Sequence, residues 1–406
     1  MQSDWTQTTW GHLATLEYGK AIRGYQDVVA PFPVYGTNGP VGWHTEPLWD
    51  RPGVIIGRKG AYRGVHYSRK PFFVIDTAFF LKPKVRLDAR WAYYQLLTVD
   101  INGMDSGSAI PSTSRDEFYK LPVSVPPFDE QVRIADVLML FDDRIDLLRQ
   151  TNVTLEDIAQ ALFKSWFIDF DPVRAKAEGR EPDGMDAATA ALFPAEFEES
   201  ALGLIPKGWT VRSLDSFATY LNGLALQKYP AESEDEYLPV IKIAQLRAGH
   251  TNGSDRASAR LKPEYVVRDG DVLFSWSGSL EVEFWCGGEG ALNQHLFKVT
   301  SSEVPKWFYY LATKHFLPGF RETAAHKATT MGHIQRGHLT ASRLALPPAP
   351  VMRALSSVMG PLLERRISGA LQARELAAVR DSLLPRLVSG RLRLPEAVEA
   401  AEAAAA

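Results

Sequence analysis

The chain has 406 residues, 45% apolar and 23% charged, with a formal net charge of −3, which fits a globular protein of two or three domains. No apolar run is long enough to span a membrane and the start lacks a signal-peptide pattern, so a cytoplasmic protein is expected. A single cysteine, Cys286, excludes an internal disulfide and fits a reducing compartment.

Residues 1–125 read as a first globular segment. Gly53-Val54-Ile55-Ile56-Gly57, Phe72-Phe73-Val74-Ile75 and Phe79-Phe80-Leu81 have the composition of strands, and Trp91–Leu97 that of a short aromatic helix. Gly36, Gly39, Gly42, Gly60 and Gly64 mark tight loops between them. From Arg51 to Arg90 the chain is basic, with Asp76 and Asp88 its acids, and it carries Tyr62, His66 and Tyr67. Such a stretch suits a polyanion, although a solvated surface is the ordinary fate of a charge run.

Residues 126–171 form a long helix opening after Pro126-Pro127, with Asp129 as its expected cap. Ile134, Leu138, Phe141, Ile145, Leu148, Asn152, Leu155, Ala159, Leu162 and Trp166 alternate at four- and three-residue spacing. That spacing keeps one seam on one face, as in a coiled coil roughly 50 Å long. The helix stops before Asp171-Pro172 because proline cannot continue it.

Residues 172–203 are acidic and rich in alanine and proline, and read as a linker with little core of its own. Residues 204–345 form a second globular segment that echoes the first. Gly270–Gly278 repeats Gly53–Gly60, and Trp307-Phe308-Tyr309-Tyr310 repeats Trp91-Ala92-Tyr93-Tyr94. Pro347-Pro348 then opens a second helix over 346–394, and 395–406 is expected to be a disordered tail. Moving the first seam forward by about 222 residues lands on Gly360, Leu363, Ile367, Ala370, Arg374, Ala377, Asp381, Leu384 and Val388. Leu371, Leu376 and Leu383 fall just beside it. The fold expected is therefore α/β (α+β): a tandem repeat of two mixed domains, each followed by a long helix, the helices pairing as a coiled coil.

Catalytic signatures are missing. There is no Asn-Pro-Pro-aromatic or Asp-Pro-Pro-Tyr motif of an amino-methyltransferase, no Walker A sequence and no glycine-rich cofactor loop; Gly287-Gly288-Glu289-Gly290 suits a hairpin turn. The nine histidines lack metal-ligand spacing with the single cysteine. Glu281 and Glu283 alternate as on the solvated face of a strand. A non-catalytic chain without metal or cofactor of its own is expected.

Several local sequences occur in a telling order: Phe32–Gly39, Gly57-Arg58-Lys59-Gly60-Ala61-Tyr62 with Ile75–Phe79, and Pro126-Pro127-Phe128-Asp129-Glu130-Gln131. Ala161–Phe167, Pro206-Lys207-Gly208-Trp209, Leu292-Asn293-Gln294-His295 and Leu383-Leu384-Pro385-Arg386-Leu387 follow. Over nearly its whole length the chain resembles the DNA-specificity subunits of type I restriction–modification systems. It departs at Pro347-Pro348-Ala349-Pro350, which lacks the Glu-Gln of the first helix start and leaves an irregular start expected.

The resemblance implies two target-recognition domains reading halves of a split double-stranded DNA target, on helices packed antiparallel. It also implies methyltransferase subunits that bring S-adenosylmethionine, a separate motor-nuclease subunit, and no membrane. As DNA contacts it directs attention to Arg58 and Lys59, which suit guanine edges or phosphates, with Tyr62 and Arg63 beside them. Asn38 suits adenine or a plain Asn-Gly turn. Ser112, Thr113, Ser114 and Arg115 precede the first helix; Thr329, Thr330, His333 and Gln335 hold the matching place in the second half. Trp276 and Ser277 match Arg58 and Lys59, and His295 is either a contact or a hydrogen-bonded structural histidine. Helix pairing is expected through Leu138, Phe141, Ile145, Leu148, Asn152, Leu155, Leu162, Leu363, Ile367, Arg374 and Leu384. Within that set Arg374 either pairs near Asn152 to fix the register or turns to solvent while Leu371 or Leu376 takes the seam.

Overall fold

The computed structural model describes residues 5–104, 107, 110–326, 332–392, 394 and 396. Contacts divide the chain into two compact units, Met1–Asp146 with Glu375–Ala406, and Leu147–Arg374. The division falls inside both long helices, so each expected domain is built together with part of each helix.

The first unit opens with β1 (Thr6–Thr9), the single turn α1 (Trp10–Leu13) and β2 (Ala14–Tyr18). β3 (Phe32–Gly36) and β4 (Gly39–His44) form a hairpin. β5 (Gly53–Gly57), β6 (Val65–Ser68), β7 (Phe73–Val74) and β8 (Ala78–Pro83) follow, then α2 (Ala89–Leu97), α3 (Arg115–Lys120) and β9 (Pro122–Val125). One antiparallel sheet runs β2-β8-β5-β6 and a second runs β4-β3-β7, with β3 and β7 parallel; β1 pairs with β9. β5 is an unbroken apolar run because every residue of it is buried. Asp88 caps α2 by accepting from Arg90 N and Trp91 N, and Trp91 packs against Trp10, ring centres 6.4 Å apart.

The long helix α4 spans Phe128–Phe167. Its Glu-Gln start has a mechanical reason. Gln131 is buried, its Oε1 accepts from Asp88 N at 3.0 Å and its Nε2 donates to Pro126 O at 3.0 Å, while Glu130 accepts from Trp5 Nε1 at 3.2 Å. The motif thus ties the helix start to the cap of α2.

Residues 172–203 correct the expectation of a bare linker. α5 (Asp171–Ala177), α6 (Ala187–Ala191) and the hairpin of β10 (Phe197–Ser200) and β11 (Gly203–Pro206) are ordered elements. Phe170, Val173 and Phe193 are buried with Trp166, Phe167 and Trp209 in the core of the second unit. The acidic, alanine-rich composition hid these few large apolar side chains, which supply the burial that anchors the segment.

The rest of the second unit runs through β12 (Thr210–Ser213), α7 (Leu214–Phe217), β13 (Thr219–Asn222), β14 (Leu238–Ile241), α8 (Ile243–Ala248), β15 (Arg256–Ala257) and β16 (Val266–Val267). It continues with β17 (Val272–Ser275), β18 (Val282–Phe284), β19 (Gly290–Leu292), β20 (Leu296–Thr300), α9 (Lys306–His326), α10 (Arg336–Ala341) and β21 (Arg343–Leu346). Its sheets, β13-β20-β17-β18 and β15-β14-β19-β16, and its β12–β21 pair follow the order of the first unit, including one parallel pair, β14 with β19, with β16 as a fourth strand on the sheet that has three in the first unit. The last helix, α11, spans Ala349–Val388. Its start is regular despite the missing Glu-Gln, because Pro350 sits in the first turn, where a helix needs no amide donor.

Within the second unit α4 and α11 run antiparallel: Asn152 stands against Gly369 and Glu156 against Arg366, so numbers rise on one helix as they fall on the other. In the first unit Asp142 meets Arg380 at 2.5 Å. Leu138, Phe141, Ile145 and Leu148 are buried, Leu155 and Leu162 partly so. On α11 the buried stripe is Met352, Leu355, Met359, Leu363, Ala373, Leu376, Leu383 and Leu387, with Leu384 and Val388 of the sequence-derived seam buried beside it. Over much of its length this lies one position earlier than the sequence-derived seam. Arg374 is therefore off the seam and Leu376 is on it. The Arg374 guanidinium reaches Asp269 through two 2.9 Å bonds and Cys286 O at 2.6 Å, which replaces the expected partnership with Asn152. Ile367 packs on the core of the second unit.

Candidate nucleic-acid interface

In the first unit the loop after β5 is pinned from both sides. Arg58 N and Lys59 N donate to Thr77 O at 2.9 and 3.1 Å, Gly60 N donates to Pro111 O at 3.0 Å, and Thr113 N donates to Arg58 O at 2.9 Å. Lys59 and Ser112 form an isolated antiparallel bridge. The Thr37 hydroxyl lies 2.7 Å from Lys59 O and 2.6 Å from Thr77 O. Gly57 has to be glycine, because a Cβ there would stand 2.8 Å from Thr37 O and from Arg63 Cα.

This scaffold holds a cluster of basic and aromatic side chains. The Arg58 guanidinium carbon lies 4.8 Å from the Tyr18 ring centre and 5.8 Å from that of Phe79, and Nη1 donates to Asp76 O at 2.8 Å. Arg115 covers the same Tyr18 ring at 5.0 Å and bonds the Tyr119 hydroxyl through Nε and Nη2, at 3.3 and 3.2 Å. Tyr18 is 49% and Tyr62 80% exposed. Tyr18 carried no sequence signal beyond its type; its role becomes visible once β2 is paired with β8.

Three expected contacts have internal roles. Arg63 is buried, and it donates to the carbonyls of Gly60, Ile101 and Asn102, the last at 2.6 Å; a guanidinium committed to backbone carbonyls inside the fold does not reach DNA. Thr113 is buried and donates to Gly57 O at 2.8 Å. Ser114 caps α3 by accepting from Glu117 N. Asn38 is exposed in the β3–β4 turn; with its side-chain nitrogen toward the neighbouring loop it donates to Tyr62 O at 2.6 Å.

The second unit repeats three of these loop bonds and the bridge. Trp276 N donates to His295 O, Gly278 N to Gly332 O at 2.9 Å, and Ile334 N to Trp276 O at 3.0 Å; Ser277 bridges His333. Trp276 Nε1 donates to Asn222 Oδ1 at 2.9 Å, and its ring neighbours His295 and His333 at 5.9 and 6.4 Å. Ser277 is buried against His295, Oγ to Nδ1 3.0 Å, which corrects the expectation that it faces DNA. Gln294 approaches the other nitrogen of His295 at 3.3 Å. Gln335 is an exposed cap of α10, followed by Arg336, which sequence reasoning passed over. Thr329 and Thr330 lie outside the described residues. Glu281 and Glu283 are not a merely solvated face, since they pair with Arg321 at 2.8 Å and with Lys314 and Arg366 at 2.9 and 2.6 Å. Among the described residues no cluster of histidine, cysteine and acids could hold a metal ion, and no helix is long and apolar enough to cross a membrane.

Two α/β domains that share one topology and one loop scaffold, each running on into a long helix, define a duplicated recognition-type protein. The chain belongs to the type I restriction modification DNA specificity domain family, whose model matches residues 48–157 and 206–356. It is 30% identical over 192 residues to the type I restriction enzyme HindI specificity subunit of Haemophilus influenzae, covering 38% of this chain and 41% of that one. It is 26% identical over 304 residues to the MjaIX specificity subunit of Methanocaldococcus jannaschii, covering 71% and 66%. The matched stretches thus span less than two thirds of these relatives. The crystal structure of a type I restriction–modification S subunit from M. genitalium shares the fold, with a TM-score of 0.55 at 15% identity over 95% of this chain and 96% of that one.

Proposed function

We infer that this chain is the DNA-specificity subunit of a type I restriction–modification complex, in which each α/β domain reads one half of a split double-stranded DNA target. The observation that carries the reading is the repeated loop scaffold: the same backbone bonds present Tyr18, Arg58, Lys59 and Arg115 in one unit and Asn222, Trp276, His295 and Arg336 in the other. Family membership supports it. A formal net charge of −3 is no obstacle, because phosphate responds to the local field of a basic cluster.

In this reading the chain does no chemistry. Methyltransferase subunits dock along the helices and bring S-adenosylmethionine, a motor-nuclease subunit joins for cleavage, and the complex works in the cytoplasm. The test is to incubate the chain, alone and with its methyltransferase partners, with a random duplex library and S-adenosylmethionine. The assembled complex methylates one split target with an unread gap, and the chain alone methylates nothing. Methyl transfer by the chain alone, or assembly without any sequence-selective methylation, contradicts the reading.

A further inference from the structure

The shared scaffold allows matched positions to be compared side chain by side chain within one molecule. Pairing β2 with β8 and β13 with β20 aligns Tyr18 with Asn222, opposite Phe79 and Phe297. The loop bonds then align Arg58 with Trp276, Lys59 with Ser277 and Thr77 with His295. Arg115 and Arg336 also match, each the first residue of a short helix behind its cap, Ser114 or Gln335. That arginine is kept in both units, whereas the side chains at the loop tip all differ.

Phosphates are alike along any duplex; base edges are not. A position that holds phosphate in both units keeps its donor, and a position that reads two different half-sites changes. Resting on the proposed function, we propose that Arg58 reads a guanine in the half-site bound by the first unit, while Trp276, its counterpart, makes no guanine contact and meets the other half through its apolar ring.

The local chemistry singles out Arg58. Guanine offers two adjacent acceptors, O6 and N7, in the major groove, and a planar guanidinium edge matches them. The stack on Tyr18 and the Nη1 bond to Asp76 O fix the plane of Arg58. Among the described residues no bond takes its Nε or Nη2, so that two-donor edge is open. Arg115 has spent the same edge on the Tyr119 hydroxyl, and Arg63 is buried. Lys59 is a point charge without a fork. Trp276 offers a single donor, already given to Asn222.

The test maps methylated sites made by the complete complex carrying wild-type chain, Arg58→Ala or Arg58→Lys. The wild-type target has a guanine in one half. At that base pair both variants lose discrimination by roughly 5- to 150-fold, the worth of one bidentate pair. The lysine variant keeps the charge, so overall affinity and its salt dependence stay near wild type while selectivity falls. A lysine variant that keeps full selectivity, an alanine variant weakened equally at every sequence with a shallower salt slope, or relaxation at a pair without guanine overturns the inference. A wild-type complex that selects no split target overturns the proposed function as well, so the two failures are told apart by the wild-type map alone.

Discussion

The Glu156 carboxylate on α4 lies 2.8 Å from Arg366 Nε on α11. The same carboxylate accepts the Tyr310 hydroxyl at 2.8 Å and meets Lys314 at 3.0 Å, and Glu283 completes the set. The first unit has a simpler counterpart, with Tyr94 donating to Asp142 at 2.6 Å and Arg380 meeting the same carboxylate at 2.5 Å. The second tyrosine of each Trp-X-Tyr-Tyr motif therefore docks on an acid of α4 that also grips an arginine of α11. Burial opposes the charge on Glu156, but Arg366 and Lys314 outweigh it and hold the carboxyl below its ordinary range.

Replacing Glu156 with Gln leaves two buried cations with Glu283 alone, and the expected loss is about 3–5 kcal/mol in chemical denaturation at neutral pH. Combining it with Arg366→Met recovers part of that loss, because the two changes are coupled. Additive losses count against the network.

The same cluster sets a pH dependence. A carboxyl whose pKa is depressed in the fold contributes stability above its ordinary value of 4.5, and that contribution disappears as pH falls through the folded value. Denaturation midpoints of wild type and Glu156→Gln therefore converge below about pH 4.5 and separate above it. A gap that stays constant down to acid pH refutes the assignment.

Gly19 and Gly223 occupy matched places where two backbones touch. A Cβ at Gly19 would stand 2.0 Å from Ile75 O, and one at Gly223 would stand 2.3 Å from Asn293 O. Each Gly→Ala change is expected to cost at least about 1–3 kcal/mol, since a carbonyl cannot step aside as a side chain can. Thermal unfolding followed by limited proteolysis should show the loss in the unit that carries the substitution.

Much of this architecture was legible because its signals are local. The α4 seam is unbroken, and β5 and the aromatic helices announce themselves by composition. The seam of α11 was misplaced by one position because Gly360, Pro361 and Arg374 interrupt the pattern, and only the partner helix shows which side faces inward. At the candidate interface the sequence brought out Arg58 and its match Trp276. It could not distinguish Arg58 from Arg63, two arginines in one glycine-rich stretch, because burial depends on Ile101 and Asn102, far along the chain. Arg336 was missed for the same kind of reason, since its match with Arg115 rests on backbone bonds.

Arg63→Ala should act through the fold and not through DNA chemistry. Removing a buried, carbonyl-bound guanidinium is expected to cost about 2–3 kcal/mol, with any loss of DNA affinity restored when binding is corrected for the folded fraction. Tyr62→Ala, at an 80% exposed position, leaves the melting midpoint unchanged. An Arg63 variant that is fully stable yet fails to bind DNA contradicts this assignment.

The division of labour between the units is tested most directly by mapping the methylated sites of complexes carrying Arg58→Ala or Trp276→Ala. The two maps are expected to relax different halves of one split target, each variant leaving the other half as selective as wild type. Relaxation of the same half by both variants, or of both halves by either one, contradicts the assignment of one half-site to each unit.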